Sequence, residues 1–226
     1  MALLAFSFWG YFMLLGITFK LRSYLQGLSS LRSAHNLCMG GFSLMVFVYT
    51  TKLMLDDRHF DSLEIMSCKR LTHEHFQVIS FMFLLSKIWE WFDSVLLVLK
   101  GNQLRSLHII HHATTFSLYA VDHIFLSSIK YGVSVNALVH FVMYSHYYKP
   151  FPKQYRKLIT QLQILQFLAS IFLHSGIYFY DCDPTIHSHF YEYITPYLLV
   201  VSYLVLFINF YITQYVFGSK TKKKTN

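Results

Sequence analysis

The chain has 226 residues, of which 54% are hydrophobic, 19% aromatic and only 13% charged, where a soluble domain carries about 25% charged residues. With a mean hydropathy of +0.39, this excludes a soluble globular enzyme, a disordered chain and a disulfide-rich scaffold, and leaves a polytopic membrane protein with room for roughly six to eight spans of about 20 residues. The net charge of +8 reads as basic loops along one side of a bilayer, not as a nucleic-acid surface; such loops also attract an anionic substrate.

Seven apolar stretches follow one another, near Ala2–Phe19, Ser33–Leu53, Phe76–Leu99, Ser106–Leu126, Ile129–Tyr148, Leu158–Tyr180 and Tyr193–Phe217. Each is long enough to cross the hydrocarbon core as a helix, the only open-chain form that satisfies its own backbone there. The first lacks a basic n-region, so Met1–Phe19 reads as a span and not as a cleaved signal peptide. The fourth and fifth are separated by a few residues and form a tight antiparallel hairpin. No repeat or long linker divides the chain. The expected fold is all-α: one integral membrane domain over residues 1–226 with seven transmembrane helices and a short basic tail, 218–226.

The loops segregate by charge. One set carries Lys20, Arg22, Arg32, Lys100, Arg105, Lys149, Lys153, Arg156, Lys157, Lys220, Lys222, Lys223 and Lys224, and no acid; the opposite set carries nine acids against Arg58, Lys69, Arg70 and Lys130. A Lys/Arg bias of thirteen to four makes the first set cytosolic, with the C-terminus cytosolic and the N-terminus on the far, lumenal side. The tail ends Lys223-Lys224-Thr225-Asn226. It fits a dilysine signal that returns membrane proteins to the endoplasmic reticulum, and equally a generic basic stop-transfer tail. Cys38 falls inside a span and is expected to pack there.

Ionisable residues inside spans are costly and point to function. Span three carries Lys87, Glu90 and Asp93 at steps of three, along one stripe of a helix. Lys87 and Glu90 have a structural alternative, a self-neutralising pair that locks two helices. Asp93 has no partner in its own span and is expected to face a cavity or another helix. Span four carries His108, His111 and His112 on one face, a set that serves as metal ligands or as acid, base or nucleophile. Span five carries Asn136 and His140, then Met143, Tyr144 and Tyr147. Span six opens with Thr160, Gln163 and Gln166, which alone reads equally well as glue between helices. Measured inward from the basic loops at the helical rise, His111, Asp93, His140 and Gln163 all lie about 9–14 Å deep. Four helices thus line one polar chamber open to the cytosol, with apolar and aromatic residues beyond it. That shape suits a ligand with an anionic head and a long hydrocarbon tail.

At these residues the sequence resembles the ELO family, the fatty acid elongases of the endoplasmic reticulum. Lys87-x-x-Glu90-x-x-Asp93-Ser94 is similar to the family's K-x-x-E-x-x-D-T box, with Ser in the last place. His108-x-x-His111-His112 resembles its H-x-x-H-H box. Asn136-x-x-x-His140-x-x-Met143-Tyr144 resembles its N-x-x-x-H-x-x-M-Y-x-Y-Y box, with His146 where the first Tyr of the closing pair is usual and Tyr147 keeping the second. Thr160-x-x-Gln163-x-x-Gln166 resembles its T-x-x-Q-x-x-Q box. The resemblance implies a very-long-chain 3-oxoacyl-CoA synthase, an acyltransferase that joins a long-chain acyl-CoA to malonyl-CoA with release of CO2 and CoA. It also implies a seven-helix bundle around an acyl tunnel, a lumenal disulfide for which Cys68 and Cys182 are the candidates, and a ketoacyl-CoA reductase, a dehydratase and an enoyl reductase as partners in the cycle. No cofactor or metal is assigned. Oligomeric state is left open, a homodimer being one option.

The family's first His of the adjacent pair, here His111, is the expected acyl acceptor, since a neutral imidazole attacks thioesters and yields an activated acyl-imidazole. His140 would assist malonyl decarboxylation or hold the enolate, and His108 and His112 would orient the pair. Glu90 or Asp93 would fix an imidazole tautomer. Asn136, Gln163 and Gln166 are expected on substrate carbonyls. Lys149, Lys153 and Arg156 are expected on CoA phosphates, although orientation alone accounts for basic residues in that loop. Two rivals remain. One is a His-box membrane metalloenzyme like the desaturases and hydroxylases, for which the chamber is short of histidines. The other is a seven-span receptor or transporter, for which the loops are short and no half-helix repeat is visible.

Overall fold

The computed structural model describes residues 2–24, 31–125, 129–182 and 190–217, and these are helical and strand-free. In chain order the helices are α1 (Ala2–Lys20), α2 (Arg32–Asp56), α3 (Leu63–Cys68), α4 (Glu74–Trp89), α5 (Trp91–Leu99), α6 (Ser106–Phe125), α7 (Ile129–Tyr148), α8 (Lys153–Phe179) and α9 (Phe190–Tyr211), the last running into a π-helical turn at Ile212–Phe217. The chain is an all-α polytopic membrane protein. Among the described residues, Arg32–Asp56, Gln154–Phe179 and Tyr193–Phe217 are long and apolar enough to cross a bilayer by length and composition. The count of seven spans stays a reading of the sequence.

Small residues let the helices approach, as expected where lipid supplies no hydrophobic drive for association. α2 against α7 is the most extensive pairing: Gly40 faces Tyr144, whose Cβ an added methyl at Gly40 would just touch, and Thr51 Oγ1 and Ser134 Oγ lie 2.8 Å apart across the seam. α1 docks on α5 and α6, where Gly10 meets the Trp91 ring and Ser7 Oγ donates to the Ala113 carbonyl at 2.6 Å. α8 pairs with α9, and α6 closes against both α1 and α9.

The expected third span is interrupted. Glu90 stands between α4 and α5, and the Asp93 amide bonds the Glu90 carbonyl at 3.0 Å, a tightened 3₁₀-type turn. Such a turn within a long helix is a frequent mark of a working site. α3, which the apolar pattern did not announce, lies between α2 and α4 and packs on α8. Any Cβ at Gly176 would collide there with the Ser67 side chain. A disulfide from Cys68 to Cys182 fastens the same contact across 114 residues of chain. Cys38 is not a packing residue: it is exposed beside Leu37, on the face of α2 turned away from α7. The Lys223-Lys224 tail lies outside the described residues.

Candidate active site

A cavity of about 880 Å³ opens at one end of the bundle. Its wall takes the starts of α2, α6 and α8 and the ends of α5, α7 and α9. That alternation is the up-and-down course the segregated loops require. Asp93, His108, His111, His112, Asn136, His140, Thr160, Gln163 and Gln166 all face this space, with Tyr147 and His146. The residues picked from separate stretches therefore meet in one chamber. A narrower space of about 50 Å³ shares His111, Asn136, Gln166 and Phe167 with it and continues between Leu118, Tyr119, Ile171 and Val200 towards His174 and Tyr197.

Lys87 and Glu90 stand behind the chamber wall, each 1% exposed. Lys87 Nζ donates to Glu90 Oε1 at 2.6 Å and to Asn136 Oδ1 at 2.8 Å, and sits 4.1 Å over the Phe83 ring. His140 Nδ1 lies 3.2 Å from the same Glu90 oxygen, while Glu90 Oε2 has no partner among the described residues. The pair is thus a Lys–Glu lock and a support for two chamber residues, Asn136 and His140. A carboxylate accepting from one imidazole nitrogen fixes the tautomer and leaves the other nitrogen for chemistry.

Asp93 has both oxygens engaged: His35 Nε2 lies 2.7 Å from Oδ1, and Tyr144 OH donates to Oδ2 at 2.6 Å. It faces the cavity and binds two other helices, so the alternatives left open for it hold together. His108 Nε2 lies 2.8 Å from Ser94 Oγ, which in turn lies 2.9 Å from Tyr11 OH. The His108 and His112 rings lie tilted at 43° with centroids 4.2 Å apart, and the His112 backbone carbonyl accepts from Trp91 Nε1 at 2.9 Å. The His111 ring packs at 5.1 Å on Tyr203 and 6.2 Å on Phe207, and among the described residues neither the His111 nor the His112 imidazole has a hydrogen bond.

On α8, Thr160 and Gln166 are buried in the chamber wall, and Gln163 Nε2 points at Met143 Sδ. Of the expected phosphate contacts, Arg156 lines the cavity, Lys149 is exposed and outside its wall, and the side chain of Lys153 lies outside the described ones. The cations that do line it with Arg156 are Arg32, Lys100 and Arg105. His146, in place of the usual Tyr, accepts from the Phe151 amide at 2.8 Å and so ties down the turn after α7.

A family model described as "ELO: GNS1/SUR4 family" matches residues 1–225. The chain belongs to this family. It is 30% identical over 201 residues to fatty acid elongase A of Dictyostelium discoideum, covering 85% of this chain and 74% of that protein. It is 31% identical to long chain fatty acid elongase 1 of Caenorhabditis elegans and to very long chain fatty acid elongase 4 of Homo sapiens, over 63% and 62% of this chain and 53% and 47% of theirs. The chain thus spans about three quarters of the first of these ELO proteins and about half the length of the other two. Sequence reasoning missed His35 and Asn36 of α2 and the aromatic backing of His111 by Tyr203 and Phe207. An ionisable residue within the second span, His35, was the available signal, by the same rule that singled out His111.

Proposed function

We propose that this ELO-family chain is a condensing enzyme of fatty acid elongation, forming 3-oxoacyl-CoA from a long-chain acyl-CoA and malonyl-CoA. The observation that carries the reading is the placement of His111 and His140 in one chamber, the first backed by the Tyr203 and Phe207 rings, the second beside the Glu90 carboxylate. In the first half-reaction, His111 attacks the acyl thioester carbonyl. The C–S bond breaks, and the imidazolium gives its proton to the departing CoA thiolate. In the second, malonyl-CoA loses CO2 and its C2 attacks the acyl-imidazole carbonyl. The C–N bond breaks, and His111 recovers one proton from solvent, the proton consumed overall. Asn136, Gln163 and Gln166 supply hydrogen-bond donors for the enolate and the tetrahedral oxyanion, while His140, its Nδ1–H turned to Glu90, offers Nε2 as a proton acceptor.

The cationic mouth suits the phosphates of CoA, and Arg32, Lys100, Arg105 and Arg156 are its residues. The narrower continuation past His111, with Leu118, Tyr119, Ile171 and Val200 along it, marks the direction the hydrocarbon chain would take. We place the mouth on the cytosolic face of the endoplasmic reticulum membrane, where the charge bias of the loops puts it. The reductase, dehydratase and second reductase of a two-carbon cycle are the natural consumers of the product.

Intact-mass measurement of purified protein after incubation with acyl-CoA alone tests this. One acyl group should add to the wild type and none to His111→Ala, and malonyl-CoA should discharge the adduct as 3-oxoacyl-CoA. Turnover without any adduct would reject the two-step scheme.

A further inference from the structure

Beside Arg32, α2 contributes a second polar residue to the chamber, Asn36. Asn36 is 3% exposed and lines the cavity, and its Nδ2 is shielded from solvent with no hydrogen-bond partner among the described residues. Two acceptors of the same chamber wall are already engaged. Both Asp93 oxygens are held by His35 and Tyr144, and Asn136 Oδ1 is held by Lys87. A buried amide left unpaired on a membrane helix is rare and costly, and calls for a partner that the folded chain does not supply. Arg32 lies four residues earlier on the same face of α2 and also lines the cavity, which sets Asn36 one turn, about 6 Å, below the cationic mouth.

We propose that Asn36 is a substrate-contact residue, hydrogen-bonding the thioester–pantetheine segment of a bound CoA thioester. The proposal rests on the condensing-enzyme reading above. A carboxamide presents both a donor and an acceptor, as the thioester carbonyl and the amides of the pantetheine arm together require. An anionic or purely hydrocarbon ligand would not need both.

The test uses the full chain with Asn36→Leu, which keeps the branched heavy-atom skeleton of Asn, and Asn36→Ala. Replacing an unpaired buried amide by an apolar group of similar shape is neutral or stabilising, so the unliganded leucine variant should melt at or above the wild-type temperature. In the same protein, the KM for elongation and the midpoint of ligand-induced thermal stabilisation should rise about tenfold, the loss of one neutral hydrogen bond. Long-chain acyl-CoA and malonyl-CoA are titrated separately. A rise for one alone assigns the contact to that half-reaction, and a rise for both assigns it to the shared pantetheine arm. Unchanged constants for both thioesters, with wild-type elongation intact, overturn the proposal and leave the condensing reading standing. A wild type that binds no CoA thioester and elongates nothing overturns both. Loss of folding in both variants assigns Asn36 to packing and also overturns it.

Discussion

Lys87 shows how one side chain serves both stability and the site. Its ammonium is enclosed by Glu90, Asn136 and the Phe83 and Tyr119 rings. Removing one partner of a buried ion pair leaves the other charge uncompensated, at a cost of about 3–5 kcal/mol, while replacing both by apolar groups is often neutral. Lys87→Met alone should therefore lower the melting temperature steeply, and Lys87→Met with Glu90→Leu should recover most of the loss. Activity should not recover in the double variant, because His140 loses the carboxylate on its Nδ1 side. Recovery of both together would show the pair to be only a lock. Thermal melts of the two variants beside their elongation rates decide between these outcomes.

α3 and the turn before it form a second assembly, apart from the chamber histidines. Lys130 at the start of α7 donates to the Met66 and Lys69 carbonyls at 3.1 and 2.6 Å, and Tyr131 OH donates to the His59 carbonyl at 2.7 Å. His59 is wholly shielded and bonds Asp57 at 2.8 Å, and Asp57 also accepts from Lys69. Burial first, and Lys130 second, push the His59 imidazole below its usual value of 6.5, and the Lys69 ammonium holds the Asp57 carboxyl below its usual range. A histidine with a lowered folded pKa contributes stability that is complete above its unfolded pKa and is lost as pH falls through it. The depressed Asp57 acts in the same sense at lower pH. Melting temperature should thus fall as pH drops below about 6.5, and His59→Asn should flatten that decline; an equal slope in the variant would place the pH dependence elsewhere. Little of this assembly was legible in the sequence, for a physical reason. The boxes repeat at three or four residues, so helical geometry gathers each onto one face, and equal depth below the loops gathers the faces into one chamber. The Asp93–His35 bond joins positions 58 apart and Lys130 reaches carbonyls 61 and 64 residues away; such pairs have no period to read. The break at Glu90 was hidden for a related reason, since the polar stripe continues across it unchanged.

Charge at the scale of the whole molecule gives one more prediction, which rests on the condensing reading. The chain carries +8, and Arg32, Lys100, Arg105 and Arg156 ring the chamber where its histidines are reached. Charges around a concave, low-dielectric entrance focus their field outward and raise the local concentration of an oppositely charged ligand. The Debye length shrinks from about 30 Å at 0.01 M salt to about 8 Å at 0.15 M. Raising salt over that range should raise the KM for acyl-CoA several-fold while leaving kcat unchanged, because the groups around His111 and His140 are shielded from the ions. Lys100, exposed at the rim, gives the cleanest variant: Lys100→Glu should raise KM at low salt and converge on the wild type at high salt. An acyl-pantetheine thioester, which has the same reacting carbonyl and no nucleotide phosphates, should show neither effect. Equal salt dependence for both thioesters would mean that the ions act on the protein or the bilayer and not on the approach of the substrate, and the cationic mouth would then have to be explained by orientation in the membrane alone.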